Sequence, residues 1–203
     1  MASQLIGLFK KLTWNDFPQK QANPPGPGVF ADAALTSVAV RLGGVNLSGD
    51  VGDLSLADTI TVTISLGPKS FKNSWLSKRT PMEQQTLLAH EEGHYDLGAL
   101  IARDYFLQVM QLKGNSYADS AALQADLDPI AQATIARIQE VSDDYDTATK
   151  NGSDAAAQAR PAISASAAAL SPLAGAKSST PSWTNCSGRS PPGEARNAAP
   201  SYA

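Results

Sequence analysis

The sequence predicts an α+β fold in which a small, mostly antiparallel sheet packs on two long helices. Two stretches, residues 80–112 and 119–149, repeat apolar residues at spacings of three and four, which is typical of helices that bury one face. A third stretch, residues 59–66, alternates apolar and hydroxyl-bearing side chains, which is the period of a strand with one buried face. A short sheet, the first helix and a second helix packed against it therefore make up the predicted domain.

The first predicted helix has a clear start signal and holds both histidines of the chain. Thr80 fits the N-cap position, Pro81 suits the first helical position, and Glu83 completes a capping box. The next helix breaker is Gly114. The residues that share one face of this predicted helix, at spacings of three and four, are Leu87, His90, His94, Leu97, Ile101, Tyr105 and Leu112. Both histidines are therefore expected on the face that the helix buries.

Residues 90–94 read His-Glu-Glu-Gly-His, which is the H-E-x-x-H pattern. Positions four apart on a helix project from one side, so His90 and His94 can hold one Zn²⁺ through neutral imidazole nitrogens. Glu91 lies about 100° around the helix from His90, which places its carboxylate beside the metal rather than on it. That is the position of a general base for a zinc-activated water. The alternative is a metal-free pair of core histidines bonded to backbone carbonyls.

Two histidines do not complete a catalytic zinc site, which usually has three protein ligands and a water. The chain has no third histidine, so the remaining ligand is a carboxylate or an unusual oxygen or nitrogen. Asp96 points about 200° away from His94, and Asp104 lies about 15 Å along the axis. The acidic end of the second predicted helix supplies better candidates. They are Glu140, Asp143, Asp144 and Asp146.

The second predicted helix, residues 119–149, stops at Asn151-Gly152, a strong C-terminal signal. Pro129 marks either a kink or the true start of this helix, because proline removes a backbone donor. The apolar stripe consists of Leu123, Leu127, Ile130, Thr134, Ile138, Val141 and Tyr145. Tyr145 or Tyr105 is a candidate, by residue type alone, for stabilising an oxyanion.

Two strands are predicted before the first helix. Residues 37–42 alternate well enough for one strand, and residues 59–66 give the clearest strand in the chain. The polar stretch 46–58 between them is expected to be a loop or a short hairpin. If strand 59–66 lies at a sheet edge, it can bind an extended peptide through main-chain hydrogen bonds. The sequence does not show which strand is at the edge.

The composition excludes several classes of protein. A net charge of −3, with no Lys/Arg cluster, argues against nucleic-acid binding. Cys186 is the only cysteine, which excludes an intrachain disulfide and a thiolate zinc cage. No apolar run approaches the roughly 18 residues of a membrane span. The apolar patch at residues 5–9 precedes its lysines, which makes a poor signal peptide and leaves the cytoplasm, export by another route and prior trimming open.

Several segments together resemble a known family. Residues 12–17 are similar to its opening L-x-W-x-D-F, Ser74-Trp75 precedes the motif as it does there, and residues 88–97 are similar to its H-E-Q-G-H-F-D-I block, followed by Arg103. Residues 145–152 are similar to its Y-D-x-x-T-x-H-G ending, with Gln158 beyond. The family is DUF922, a group of bacterial proteins described as predicted secreted zinc-dependent proteases.

The resemblance implies a zincin-like metallopeptidase domain over residues 1–170, with its core at about residues 12–160, and a secreted or periplasmic location. The late histidine of the family is Asn151 here. Either Asp146, the matched acidic residue, is the third ligand, or this chain binds zinc weakly. The Ser/Pro/Ala-rich residues 171–203 are expected to be a disordered tail.

The sequence therefore predicts a zinc metallopeptidase that acts on a peptide or protein. His90, His94 and Asp146 are the predicted zinc ligands, and Glu91 is the predicted general base that takes a proton from the zinc-activated water. The alternative function is a non-catalytic or weakly metal-binding module that retains the H-E-x-x-H helix, which the change to Asn151 would allow.

Overall fold

The computed structural model of the chain describes residues 2–23, 33–43, 45–56 and 59–159. The predicted tail at residues 171–203, including Cys186, lies outside the described residues. Within the described residues, none of the helices combines the length and apolar character needed to cross a lipid bilayer.

Two long helices dominate the described part of the chain. Helix α1 spans Pro81–Gln111 and α2 spans Ser120–Thr149, followed by a short α3 at Ala155–Ala159. The predicted capping box is confirmed: the backbone N–H of Glu83 donates to the Thr80 hydroxyl oxygen, and the Glu83 carboxylate accepts from the backbone N–H of Thr80 at 2.9 Å. Reciprocal bonds of this kind satisfy two N–H groups that a helix start leaves without partners.

Helix α2 begins at Ser120, so Pro129 does not mark its start. Asp119 caps it by accepting a 2.9 Å hydrogen bond from the backbone N–H of Ala122, and Pro129 lies inside the helix. Lys150 and Asn151 both take left-handed backbone conformations with φ of 51°, which ends the helix where the Asn-Gly signal predicts.

The described strands are short and form three small sheets. The strands are β1 (Gln4–Ile6), β2 (Gln19–Lys20), β3 (Ala34–Leu35), β4 (Val38–Gly43), β5 (Leu47–Asp50), β6 (Asp53–Leu56), β7 (Thr61–Leu66), β8 (Phe71–Asn73) and β9 (Ser116–Tyr117). Their orders are β1-β7-β4, β2-β8-β3 and β5-β6-β9. Pairing is antiparallel except between β1 and β7 and between β2 and β8. The predicted α+β class with mostly antiparallel sheets and two long helices is confirmed, and the predicted hairpin is β5–β6.

The strand predicted most clearly, β7, lies in the centre of its sheet rather than at an edge. It pairs with β1 on one side and with β4 on the other, so its backbone cannot accept a peptide. Ile60, Val62 and Ile64 are buried as the alternation predicts. The edge strands of this sheet, among the described residues, are β1 and β4. The condition for peptide binding at residues 59–66, a place at the sheet edge, is therefore not met, because strand order depends on distant pairing that a local pattern does not encode.

Helix α1 lies against this sheet and approaches β4 closely at Gly98. A Cβ atom at Gly98 would lie 2.6 Å from Cγ2 and 2.9 Å from Cβ of Val38, which is too close for any real pair of carbons. A glycine here lets the helix approach the β4 backbone, and this approach sets the distance between α1 and the strand that borders the site.

We predict that Gly98→Ala destabilises the protein by about 1–2 kcal/mol. Overpacking against the stiff valine costs about 1–3 kcal/mol, and the gain in helix propensity returns at most about 1 kcal/mol. The measurement is urea unfolding followed by circular dichroism. Gly114→Ala is the matched control, since no atom lies within 4 Å of its Cβ position, and it should leave the free energy of unfolding unchanged or slightly raised. Equal effects of the two substitutions would contradict the close packing.

Candidate metal centre

Helices α1 and α2 pack side by side and bring three polar atoms together. His90 and His94 project from α1, and Asp146 projects from α2. The two Nε2 atoms lie 3.1 Å apart, and each lies 3.0 Å from Oδ1 of Asp146. Within the described residues, these are the His, Cys, Asp or Glu side chains grouped closely enough to hold a metal ion.

The spacing of these three atoms fits a single ion. Ligand atoms at about 2.0–2.1 Å from a tetrahedral zinc lie about 3.3 Å from one another. The observed separations of 3.0–3.1 Å are close to that value, and a slight outward movement of the rings would reach it. Two imidazole nitrogens and one carboxylate oxygen are also a common donor set of catalytic zinc sites. The donor set and its spacing therefore fit a metal ion.

The rings are held from behind by side chains of α2. The Ser142 hydroxyl lies 2.8 Å from Nδ1 of His94, and the Thr149 hydroxyl lies 3.4 Å from Nδ1 of His90. Tyr145 stacks on the His90 ring, with centroids 5.1 Å apart, and meets the His94 ring edge-on at 5.0 Å. Each imidazole therefore has a polar contact at Nδ1 and a packing contact on its ring.

Gly93 is required by this packing. A Cβ atom at Gly93 would lie 2.2 Å from the Tyr145 hydroxyl oxygen, so a larger residue there would displace the phenol that supports both histidines.

Burial raises the pKa of Tyr145 to about 12, and the Glu91 and Asp146 carboxylates add to this effect. Neither Tyr145 nor Tyr105 lines the cleft described below, because Tyr145 lies behind the rings and Tyr105 belongs to the apolar core.

Glu91 is buried beside the histidines, with only 4% of its surface exposed. Burial raises the pKa of its carboxyl group, while the Thr36 hydroxyl and the two histidines partly offset the rise. The Thr36 hydroxyl lies near enough to the Glu91 carboxylate to lower its pKa. However, neither Oε2 of Glu91 nor Oγ1 of Thr36 has a partner in hydrogen-bond geometry among the described residues. Glu91 therefore has an acceptor oxygen available at the site.

The pKa of Asp146 is shifted in the opposite direction from that of Glu91. Burial alone raises the pKa of its carboxyl group, but the contacts with His90 and His94 outweigh burial and hold the pKa below its usual range. The two carboxyl groups therefore differ: Asp146 is ionised across the ordinary pH range, and Glu91 takes up a proton more readily.

The candidate metal group, which consists of His90, His94 and Asp146, lies on the floor of a cleft of about 520 Å³. Residues 34–40, which include the first half of β4, form one wall. The other wall is α2, with Ile135, Ile138, Gln139 and Ser142. Leu35 and Ile135 lie on opposite walls and keep 44% and 52% of their surfaces exposed. An open groove lined by both apolar and polar residues therefore leads past β4 to the histidines and Glu91.

Residues 55–152 match the model of a family described as bacterial proteins of unknown function, DUF922. Residues 55–152 belong to this family. The matched range contains His90, Glu91, His94 and Asp146, and it leaves out the similarity noted at residues 12–17. No protein with a curated description and no solved structure matches the chain, so the zincin-like character of the fold remains a prediction.

The structure brings together the four site residues that the sequence singled out, His90, Glu91, His94 and Asp146. Of the other acidic candidates, Asp143 lines the cleft without joining the metal group, Asp144 is exposed, and Glu140 pairs with Arg137 at 2.7 Å. Sequence reasoning assigned no role to Ser142 or Thr149. The spacing of these residues could have indicated that they face the site: residues 142, 146 and 149 are separated by four and three positions and therefore share one face of α2.

Proposed function

We propose that this protein is a zinc metallopeptidase. The observation that carries the proposal is that three ligand atoms converge within 3.1 Å on the floor of a cleft, directly beside a buried carboxylate with a free oxygen. Structural metal sites are closed by four protein ligands, whereas three ligands next to an open groove are typical of catalytic sites.

His90, His94 and Asp146 would hold the zinc. When bound there, zinc supplies Lewis acidity, which lowers the pKa of a water molecule and polarises a carbonyl group. Neutral imidazoles and an ionised carboxylate are the protonation states that ligation needs. The lowered pKa of Asp146 keeps that carboxylate ionised, so it is ready to bind a cation.

Glu91 would act as the general base and then as the general acid. Its free oxygen can accept a proton from the attacking water and pass it to the leaving amine. The rise in its pKa on burial makes this carboxylate a better base than an exposed glutamate. Its position next to His90 in the sequence places it at the metal group but outside the ligand set.

The edge of β4 gives the cleft a way to hold an extended peptide. Ser37 directs its carbonyl towards β7, where it accepts a 2.8 Å hydrogen bond from the N–H of Gly67. Because backbone groups alternate along a strand, Val38 and Val40 direct theirs away from β7. A peptide strand added there would pair with these groups and run along the wall of the cleft.

We expect the purified protein to bind one zinc ion per chain, measured by elemental analysis. His94→Ala and Asp146→Ala should each reduce zinc retention, because either substitution leaves only two of the three ligands. Glu140→Ala, which removes a carboxylate from the same helix outside the metal group, is the matched control and should retain zinc. A parent protein that takes up no zinc, even after incubation with the metal, would contradict the site.

We expect Glu91→Gln to retain zinc and to lose peptidase activity by about 100- to 10,000-fold, the usual contribution of a general base. Glutamine has nearly the same shape and cannot take the proton. The assay is cleavage of a peptide library, analysed by mass spectrometry, with Glu92→Gln as the control. Full peptidase activity in Glu91→Gln would show that the mechanism is wrong.

Peptides with single N-methyl groups test binding at the β4 edge. Methylating one backbone nitrogen removes one donor, and a lost hydrogen bond costs about 0.5–1.5 kcal/mol. Binding to the inactive Glu91→Gln protein should weaken about 2- to 10-fold at every second position and remain unchanged between them, since only alternate residues face β4. An equal effect at neighbouring positions would contradict strand addition.

A second function is a module that binds metal weakly or without catalysis. Asn151 lines the cleft at the position where the resemblance places a histidine, and an amide is a weaker zinc ligand than imidazole. This function predicts zinc uptake without turnover of any peptide in the library.

A further inference from the structure

We propose that Thr149 is a positioning residue that favours the metal-binding tautomer of His90 over the tautomer that hydrogen-bonds to Asp146. The inference rests on the metal centre proposed above. It concerns which nitrogen of the ring carries the hydrogen before any metal arrives, and this can be measured directly.

The Thr149 hydroxyl has only one hydrogen, and it donates that hydrogen within helix α2. Oγ1 donates to the backbone carbonyl of Tyr145 at 2.7 Å, one turn earlier in α2. The side chain is 1% exposed, so water does not compete for this hydrogen. The same oxygen accepts from the N–H of Gly152 at 3.4 Å and lies 3.4 Å from Nδ1 of His90. Towards the histidine, Thr149 is therefore an acceptor.

An acceptor at Nδ1 favours the ring form that carries its hydrogen there. A neutral imidazole has one N–H and one lone pair, so the lone pair of His90 is then on Nε2. Nε2 lies 3.0 Å from the Asp146 carboxylate oxygen, which is also an acceptor. Without a metal, the two acceptors compete for the one ring hydrogen: Asp146 at 3.0 Å favours it on Nε2, and Thr149 at 3.4 Å favours it on Nδ1, so Thr149 shifts the balance towards the form whose Nε2 lone pair can bind a metal. The contact with Thr149 thus prepares His90 to bind a metal.

Ser142 differs from Thr149 in the role its hydroxyl can take. It lies 2.8 Å from Nδ1 of His94, and either atom can be the donor. With the serine as donor, Nε2 of His94 would carry the hydrogen and bond to Asp146 at 3.0 Å. Ser142 therefore fits both tautomers of His94, and Thr149 fits only one tautomer of His90.

The test compares Thr149→Val, which keeps the shape and removes the hydroxyl, with Thr149→Ser, which restores the hydroxyl. Thr147→Val is the matched control, because Thr147 makes the same bond to a carbonyl one turn earlier, Asp143, but is exposed. Nitrogen-15 NMR of the metal-free protein in mildly alkaline buffer reports the tautomer of each ring. The chain has only two histidines, so His94→Gln identifies the His90 signals.

We expect the parent, Thr149→Ser and Thr147→Val to show the same share of His90 rings with the hydrogen on Nδ1. Thr149→Val should show a smaller share of that tautomer than the parent, and its zinc affinity, measured by competition with a chelator, should fall about 10- to 100-fold. An unchanged tautomer balance of His90 in Thr149→Val would overturn the proposal, whatever the zinc affinity of that variant. If the parent takes up no zinc while its tautomer still depends on Thr149, the zinc function fails and the positioning role stands.

Discussion

The packing of α1 against α2 is the interaction on which the site depends. The two helices place His90 and His94 opposite Asp146, and the three ligand atoms meet at 3.0–3.1 Å. Tyr145 fills the space behind both rings and touches Gly93, so the helices can approach only because that position has no side chain.

The close approach of α1 to β4 connects this metal group to the cleft. Gly98 lets the helix lie directly against Val38, so the edge strand lies beside the motif. Glu91 is buried between this wall and the histidines, and its free carboxylate oxygen faces no partner among the described residues. A buried, unpaired acceptor costs free energy, and proteins keep such groups mainly where they serve a function. The cost is consistent with a role in catalysis.

Much of the local structure could be predicted from the sequence. The capping box at Thr80, the buried face of α1 and the hairpin at β5–β6 follow from patterns of a few residues, and all are present. The place of β7 in its sheet could not be predicted, because β1 and β4 reach it from far along the chain. The choice of Asp146 among four carboxylates depended on a family resemblance, since the rotation of α2 towards α1 is set by packing. The contacts of Ser142 and Thr149 depend on the same rotation.

The most direct test of the metal centre is X-ray absorption spectroscopy at the zinc edge of the zinc-loaded protein. We expect two imidazole nitrogens and a carboxylate oxygen at about 2.0–2.2 Å from the zinc, with Asp146→Ala losing the carboxylate and keeping both imidazoles. Scattering from sulfur, or from oxygen atoms alone, would contradict zinc binding by His90, His94 and Asp146, because the zinc would then be bound elsewhere than between α1 and α2.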